Sequence, residues 1–251
     1  MNKADFHKHF KSPGPVVLPV IHVLDNDQAE RNVQLALECG AQGVFLINHD
    51  FAVEQFLPII RHVRRRFPTV WLGVNFLAVT GLHAFPVLGE LQAEGCPIES
   101  YWADDARIDE HSDAESQKEA QDITKVRIES GWNGLYFGGT AFKKQREVMP
   151  EDYFKSARIA ANHMDVVTTS GVATGHSAEL GKIETFQNAC DDTPIALASG
   201  ITPDNAEQYA PLTDAFLVAT GISDAGQFHN LSQSRLRQLL EVTRRYGAHH
   251  G

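Results

Sequence analysis

The sequence predicts an α/β protein of the (β/α)8 TIM-barrel class, and three observations carry that prediction. Short β-rich apolar runs alternate with amphipathic stretches of helical length, the pattern of repeated βα units. The alternation repeats eight times. A spacing of about 30 residues in a chain of 251 residues matches such a barrel, for which about 250 residues is typical. An open doubly wound sheet ranks below it, because no GxGxxG follows the first strand.

Strands are expected at 16–23 (VVLPVIHV), 43–48 (GVFLIN), 70–76 (VWLGVNF) and 98–103 (IESYWA) in the first half. In the second half they are expected at 134–137 (GLYF), 165–169 (DVVTT), 194–198 (PIALA) and 215–219 (AFLVA). Helices are expected near 27–39, 53–66, 83–94, 114–129, 151–162, 177–189, 203–209 and 233–245. Asp27 marks the start of the first helix and Gly40 its end, Gly131 closes the helix near 114–129, and Pro150 with Glu151 and Asp152 opens the one that follows. No Pro/Gly/Ser linker or composition shift interrupts the series, so 1–251 reads as a single barrel domain.

Composition narrows the function classes. At 43% hydrophobic and 22% charged the chain is an ordinary globular protein, and its net charge of −10 repels nucleic acid and anionic membrane. Cys39, Cys96 and Cys190 are far apart and odd in number, which suits a reducing compartment better than a disulfide framework or structural zinc. The polar amino terminus and the short apolar run at 16–24 predict a cytoplasmic protein without membrane insertion. A homo-oligomer is the base-rate expectation. His249 and His250 at the chain end are not counted as site residues.

In a barrel, chemistry belongs at the carboxyl ends of the strands and the loops that follow. Those ends carry His22 and Asp25; Asn48, His49 and Asp50; Asn75; and Trp102, Asp104 and Asp105. In the last third, DVVTTSGVATG, PIALASGITPDN and DAFLVATG each run from a strand into a glycine turn. Such turns let a ligand approach the backbone, and the following helix end offers unpaired N–H groups to an anion. Ser199, Gly200 and Ile201, with Thr220 and Gly221, are therefore expected to hold a phosphate, joined by Thr174 and Gly175. The competing account is that these glycines serve only tight turns that need positive φ. Gly200→Glu is expected to abolish phosphate binding and leave the fold intact.

SGVATG at 170–175, ASGITPDN at 198–205 and DAFLVATGISDAGQFHN at 214–230 resemble the BtpA family, barrel proteins named for a role in photosystem I biogenesis. GVNFL at 73–77 is similar to GVNVL in that family's third strand, and the glycine-rich strand ends also resemble those of phosphoribosylanthranilate isomerases. The chain departs from the family pattern at 222–226, which has no lysine, and at Lys143-Lys144-Gln145, where the family has a Lys-His pair. The resemblance implies the barrel fold more firmly than a function.

For acid–base work the candidates are Asp104 or Asp105 and Lys143 or Lys144, since a carboxylate and an amine facing one pocket shift each other's pKa, and a lysine can form a Schiff base. The plainer reading puts the acidic pair in a solvated loop and the lysine pair, near Arg146, in an exposed turn. Asn48 and Asn75 read as substrate hydrogen-bonding groups or as strand-end caps, and His176 as a group neutralising a ligand anion or as one in solvent. A divalent metal would find ligand types in His22, Asp25, His49 and Asp50, but they reproduce no local zinc motif; the site is read without metal or cofactor. Arg61, Arg64, Arg65 and Arg66 read as a solvated or subunit-facing surface, and the acidic stretch 104–122 as a solvated loop that serves as a lid. The function expected first is an enzyme of isomerase, lyase or hydrolase type acting on a small phosphorylated, sugar- or nucleoside-derived metabolite. The alternative is a non-catalytic assembly or stability factor that retains a phosphate cradle.

Overall fold

The computed structural model describes residues 1–224 and 227–250. Ala225 and Gly226, in the 214–230 motif, and the side chains of His249 and His250 lie outside the described residues. A first helix, α1 (Lys3–Phe10), precedes eight parallel strands: β1 (Val16–Val23), β2 (Gly43–Asn48), β3 (Trp71–Asn75), β4 (Ser100–Ala103), β5 (Leu135–Gly139), β6 (Val166–Thr169), β7 (Ile195–Leu197) and β8 (Ala215–Val218). They close into a barrel in chain order, β1 pairing with β2 at Val20–Phe45 and with β8 at Val16–Ala215. After these strands, in order, come α2 (Asn26–Cys39), α3 (Val53–Arg66), α4 (Gly81–Ala93), α5 (Lys118–Ser130), α6 (Tyr153–Ala160), α7 (Leu180–Cys190), α8 (Ala206–Tyr209) and α9 (Gln233–His250). Among the described residues, no helix is long and apolar enough to cross a membrane.

Period-two alternation sorts the strand side chains into two cores. Val16, Leu18 and Val20 of β1 fill the barrel interior with Phe45, Trp102, Phe137 and Leu217, whereas Val17, Ile21 and Val23 pack outward against the helices. Phe45 fits inside because β3 has Gly73 beneath it, where a Cβ would collide with the ring. The same parity turns His22 in β1 and Asn75 at the end of β3 toward the barrel mouth, and carried one step past β2 and β4 it does the same for His49 and Asp104.

Several expectations change. The cap of α2 is Asp25, whose Oδ1 accepts from Gln28 N at 2.8 Å, so the helix starts earlier than Asp27 implies. The helix expected from 114 begins at Lys118, because Gln117 leaves helical geometry and its side chain binds Asp109 through both backbone groups. The acidic loop before it is tied down as well: Glu110 is buried and paired with Arg146. Arg64 leaves the expected surface entirely. It is buried beneath the amino-terminal rim, while Arg61 pairs with Glu94 and Arg66 with Glu30.

Helix α1 was hidden in a segment that reads as a charged terminus, although Phe6 and Phe10 have the i,i+4 spacing of a one-sided helix. Both are buried against the bottom of the barrel, Phe10 with its ring centroid 5.0 Å from that of Trp71. His7 Nε2 reaches Asp214 Oδ1 at 2.8 Å, and the hydrogen bond to that carboxylate raises the His7 pKa above its ordinary value. A raised folded-state pKa adds stability that is fully present below the unfolded histidine value, about 6.5, and is lost as pH rises through the folded value. His7→Gln should therefore lower the unfolding midpoint more at pH 5.5 than at pH 8.5; an equal loss at both would show that the pair adds nothing as an ion pair.

Candidate functional site

The carboxyl mouth of the barrel encloses a cavity of about 240 Å³. Its floor is apolar, formed by Val20, Ile47, Trp102 and Leu217 from the top of the interior core. One wall carries Thr174 and Gly175, Ser199, Gly200 and Ile201, and Thr220 and Gly221; Asp104, Lys143 and Lys144 also face in, as do His22 and His49. A larger groove of about 650 Å³ lies to the side, between α3, α4 and α5, lined by residues such as Val53, His83 and Ile123. It shares none of these groups.

The glycine turns interlock. Gly200 has φ +69°, and a Cβ there would collide with the backbone of His176 and Ser177. A Cβ on Gly221 would collide with the carbonyl of Ile201. Ser199 Oγ accepts from Gly171 N at 2.9 Å and donates to the His176 carbonyl at 3.1 Å, so its hydroxyl joins the loops after β6 and β7. Asn205 shapes the same turn, donating to the Gly200 carbonyl and accepting from Thr202 N, both at 2.8 Å. The N–H groups of Ser199, Gly200 and Ile201 have no partner among the described residues. Gly200 is thus both a cradle residue and a packing residue. Gly200→Glu would displace the neighbouring loop, so it does not leave the fold intact as expected.

On the other side, burial raises the pKa of the Asp104 carboxyl, opposed by a hydrogen bond from Asn75 Nδ2 at 3.1 Å and by the charge of Lys143. Burial lowers the pKa of Lys143, opposed by the Asp104 charge; its Nζ donates to the Ala198 carbonyl at 2.9 Å. A carboxyl raised and an amine lowered in pKa by burial, lining one cavity, are suited to proton transfer. Lys144 is exposed on a left-handed backbone (φ 59°) at the rim. Asp105 faces away, its carboxylate accepting from Arg107 N.

The amides divide. Asn75 touches the site only through Asp104, and its Oδ1 is buried without a partner. Asn48 has both ends of its amide on backbone, donating to the Phe51 carbonyl at 2.7 Å and accepting from Leu77 N at 3.0 Å. His176 is exposed, with Nδ1 near the Thr174 carbonyl, and lies outside the cavity lining.

The four metal-ligand types do not assemble. Asp25 caps α2, and among the described residues the one group of three such side chains within 4.8 Å is Glu110, His111 and Asp152, whose Glu110 is already paired with Arg146. His22 is instead part of an aromatic cluster, its ring centroid 4.0 Å from Phe228 and 5.3 Å from His49. Burial, with the charges of His49, His229 and Lys143, lowers the His22 pKa to about 3, so the ring is neutral. Phe228 was missed by the sequence reading. It sits on β10 (Gln227–Leu231), which pairs antiparallel with β9 (Ser223–Asp224) and lays the ring over the cavity. The Asp-Ala-Gly segment at 224–226 followed by QFHNL was the available hairpin signal. Trp102 Nε1 and His22 Nδ1, both of cavity-lining residues, are buried without partners among the described residues. Such groups cost about 1–3 kcal/mol each unless a ligand or water satisfies them.

Comparison with solved structures returns the same architecture. Tryptophan synthase subunit alpha from Legionella pneumophila superposes with a TM-score of 0.66 at 14% identity, covering 98% of this chain and 99% of that one. Phosphoribosyl anthranilate isomerase from Thermus thermophilus gives 0.58 at 14% identity, covering 90% and 97%. A structure described as "Native KDPGal structure" gives 0.61 at 10% identity, covering 93% and 96%. At these identities the likeness is one of fold. No curated protein matches the chain by sequence. The BtpA family model does match, over residues 140–245, the segment that holds all three glycine turns and Lys143. Over that segment the chain is similar to the BtpA family.

Proposed function

We propose that the protein is an enzyme acting on a small phosphorylated metabolite, by isomerase, lyase or hydrolase chemistry. The turns at 174–175, 199–201 and 220–221 hold the phosphate through backbone N–H groups, and Lys144 at the rim adds positive charge. Asp104 and Lys143 exchange protons with the reacting end, Asn75 holding the carboxylate in place. One observation carries this reading: a single cavity sets three interlocked backbone turns alongside a carboxyl and an amine that burial has moved off their ordinary pKa values. Phosphoribosyl anthranilate isomerase, which has the same fold, is named for a phosphorylated substrate, and that is the class extended here.

Thermal unfolding against a panel of phosphorylated compounds tests the proposal. A ligand at about 100 times its dissociation constant adds about 2.7 kcal/mol, which moves the midpoint of a chain this size by about 5 °C or more. Thr220→Glu is the matching variant, since Thr220 is exposed and its new carboxylate would stand in the cradle. Its unliganded midpoint should stay within about 2 °C of the parent, and its phosphate-dependent shift should vanish. A shift that survives in Thr220→Glu, or one given equally by unphosphorylated analogues, would remove the anion site.

A further inference from the structure

Lys143 belongs to the loop after β5, yet its amine lies across the barrel mouth. Nζ is bonded to the Ala198 carbonyl just past β7. Its charge also acts on Asp104 after β4 and on His22 in β1. Lys143 lines one cavity with Asp104 and His22, which come from separate sides of the barrel. The loop is held there by Lys143 N, which donates to Ser170 Oγ at 2.8 Å. Around Nζ are the Phe142 ring, at 5.5 Å, and the apolar floor with Trp102 and Leu217. Its bonded partner is a neutral carbonyl rather than a carboxylate.

Lys182 shows what a structural buried lysine looks like in the same molecule. It donates to two carbonyls, Ala141 at 2.6 Å and Ser170 at 2.8 Å, rests on the rings of Tyr153 and Phe186, and lies outside the cavity lining. Lys143 has one such bond and faces open cavity next to the 199–201 turn.

We infer that Lys143 is a nucleophile that forms a transient imine with its substrate, and that the substrate class is therefore a phosphorylated aldehyde or ketone. This rests on the reading that the neighbouring turns hold the phosphate, because a phosphate at 199–201 places a carbonyl carbon of the same short molecule beside Nζ. The neutral amine attacks that carbon, forming the C–N bond as the carbonyl π electrons move to oxygen, which takes up the proton that nitrogen loses. The resulting hydroxyl leaves as water, protonated by Asp104, while the nitrogen lone pair closes the C=N bond. One water is released and the positive charge remains on the iminium nitrogen, available to draw electrons from the adjacent carbon. Burial favours the starting states on both sides, keeping the amine neutral and the carboxyl protonated more readily than in water.

The full-length protein is incubated with glycolaldehyde phosphate, reduced with cyanoborohydride, and mapped by peptide mass, with and without inorganic phosphate. Lys143 should take the adduct faster than exposed lysines such as Lys125 at pH 7.5, because burial keeps a larger fraction of its amine neutral; inorganic phosphate should suppress it, and Lys143→Met should remove it. Adducts on exposed lysines with none on Lys143 overturn the imine; if phosphate still raises the unfolding midpoint in that case, the proposed function stands without it. Labelling of Lys143 that phosphate leaves unchanged supports the imine and overturns the phosphate cradle.

Discussion

Replacing Asp104 with asparagine is expected to lower kcat for the phosphorylated substrate by roughly 10²–10⁴-fold, the usual contribution of a positioned proton-transfer group. Asparagine keeps the size of the side chain and an oxygen to accept the 3.1 Å hydrogen bond from Asn75, so the change removes the proton and little else. Binding, read as the ligand-induced midpoint shift, should be retained. On the proposed function, the parent protein should show a bell-shaped dependence of kcat/KM on pH. One limb belongs to a carboxyl above its ordinary value of about 3.9 and the other to an amine below its ordinary value of about 10.4. The bell has the same shape whichever group gives the proton and whichever takes it, and its two values belong to the pair. Asp104→Asn should delete one limb. An unchanged kcat with both limbs intact would take Asp104 out of the chemistry.

The second large effect is on stability and lies at the opposite end of the barrel. Arg64, 6% exposed, donates to the carbonyls of Pro97 at 3.0 Å, Pro68 at 3.2 Å and Val70 at 2.9 Å, and pairs with Glu99. Glu99 in turn accepts from Leu72 N at 2.9 Å at the start of β3. One guanidinium thus joins the turn before β3 to the turn before β4. Arg64→Ala leaves these carbonyls without their donor and Glu99 without its cation, a change that costs about 3–5 kcal/mol in a buried pair. The unfolding midpoint should fall by roughly 6–20 °C, with ligand affinity unchanged at temperatures where the variant stays folded. Arg64→Lys should recover little, since one ammonium cannot reproduce the planar fork. A drop of less than about 2 °C for Arg64→Ala would show that the turns hold each other without it.

The contrast between Arg64 and Arg61 illustrates where sequence reading ended. All four arginines at 61–66 lie on one helix and read alike as a charged face; which of them enters the protein depends on how α3 is rotated against the β3 and β4 turns. Lys143 and Lys144 divide in the same way. Adjacent in sequence, one lies beneath the rim and bonds to the Ala198 carbonyl just past β7, and the other stays exposed. Asn48 and Asn75 both stand at strand ends, but parity turns Asn75 inward to Asp104 and leaves Asn48 bracing loops. That distinction was available from the alternation itself, carried to the last residue of each strand. Phe228 needed the short strand pair after β8, for which the Asp-Ala-Gly segment at 224–226 was the one local signal.

What the sequence determined by itself is the barrel, the order of its strands and helices, and the three glycine turns at its carboxyl mouth. Each is encoded by neighbours: apolar alternation, helix caps and glycines act over a few residues, so a local pattern suffices to read them. Only the tertiary structure decided that the turns interlock through Gly200 and Gly221, that Asp104 and Lys143 share one cavity, and that Arg64 is buried. Those facts depend on which atoms barrel closure brings within a few ångströms across long sequence separations, and on the water it removes from around them. Desolvation is what moves the Asp104 and Lys143 pKa values, and it exists only once the eight strands have closed.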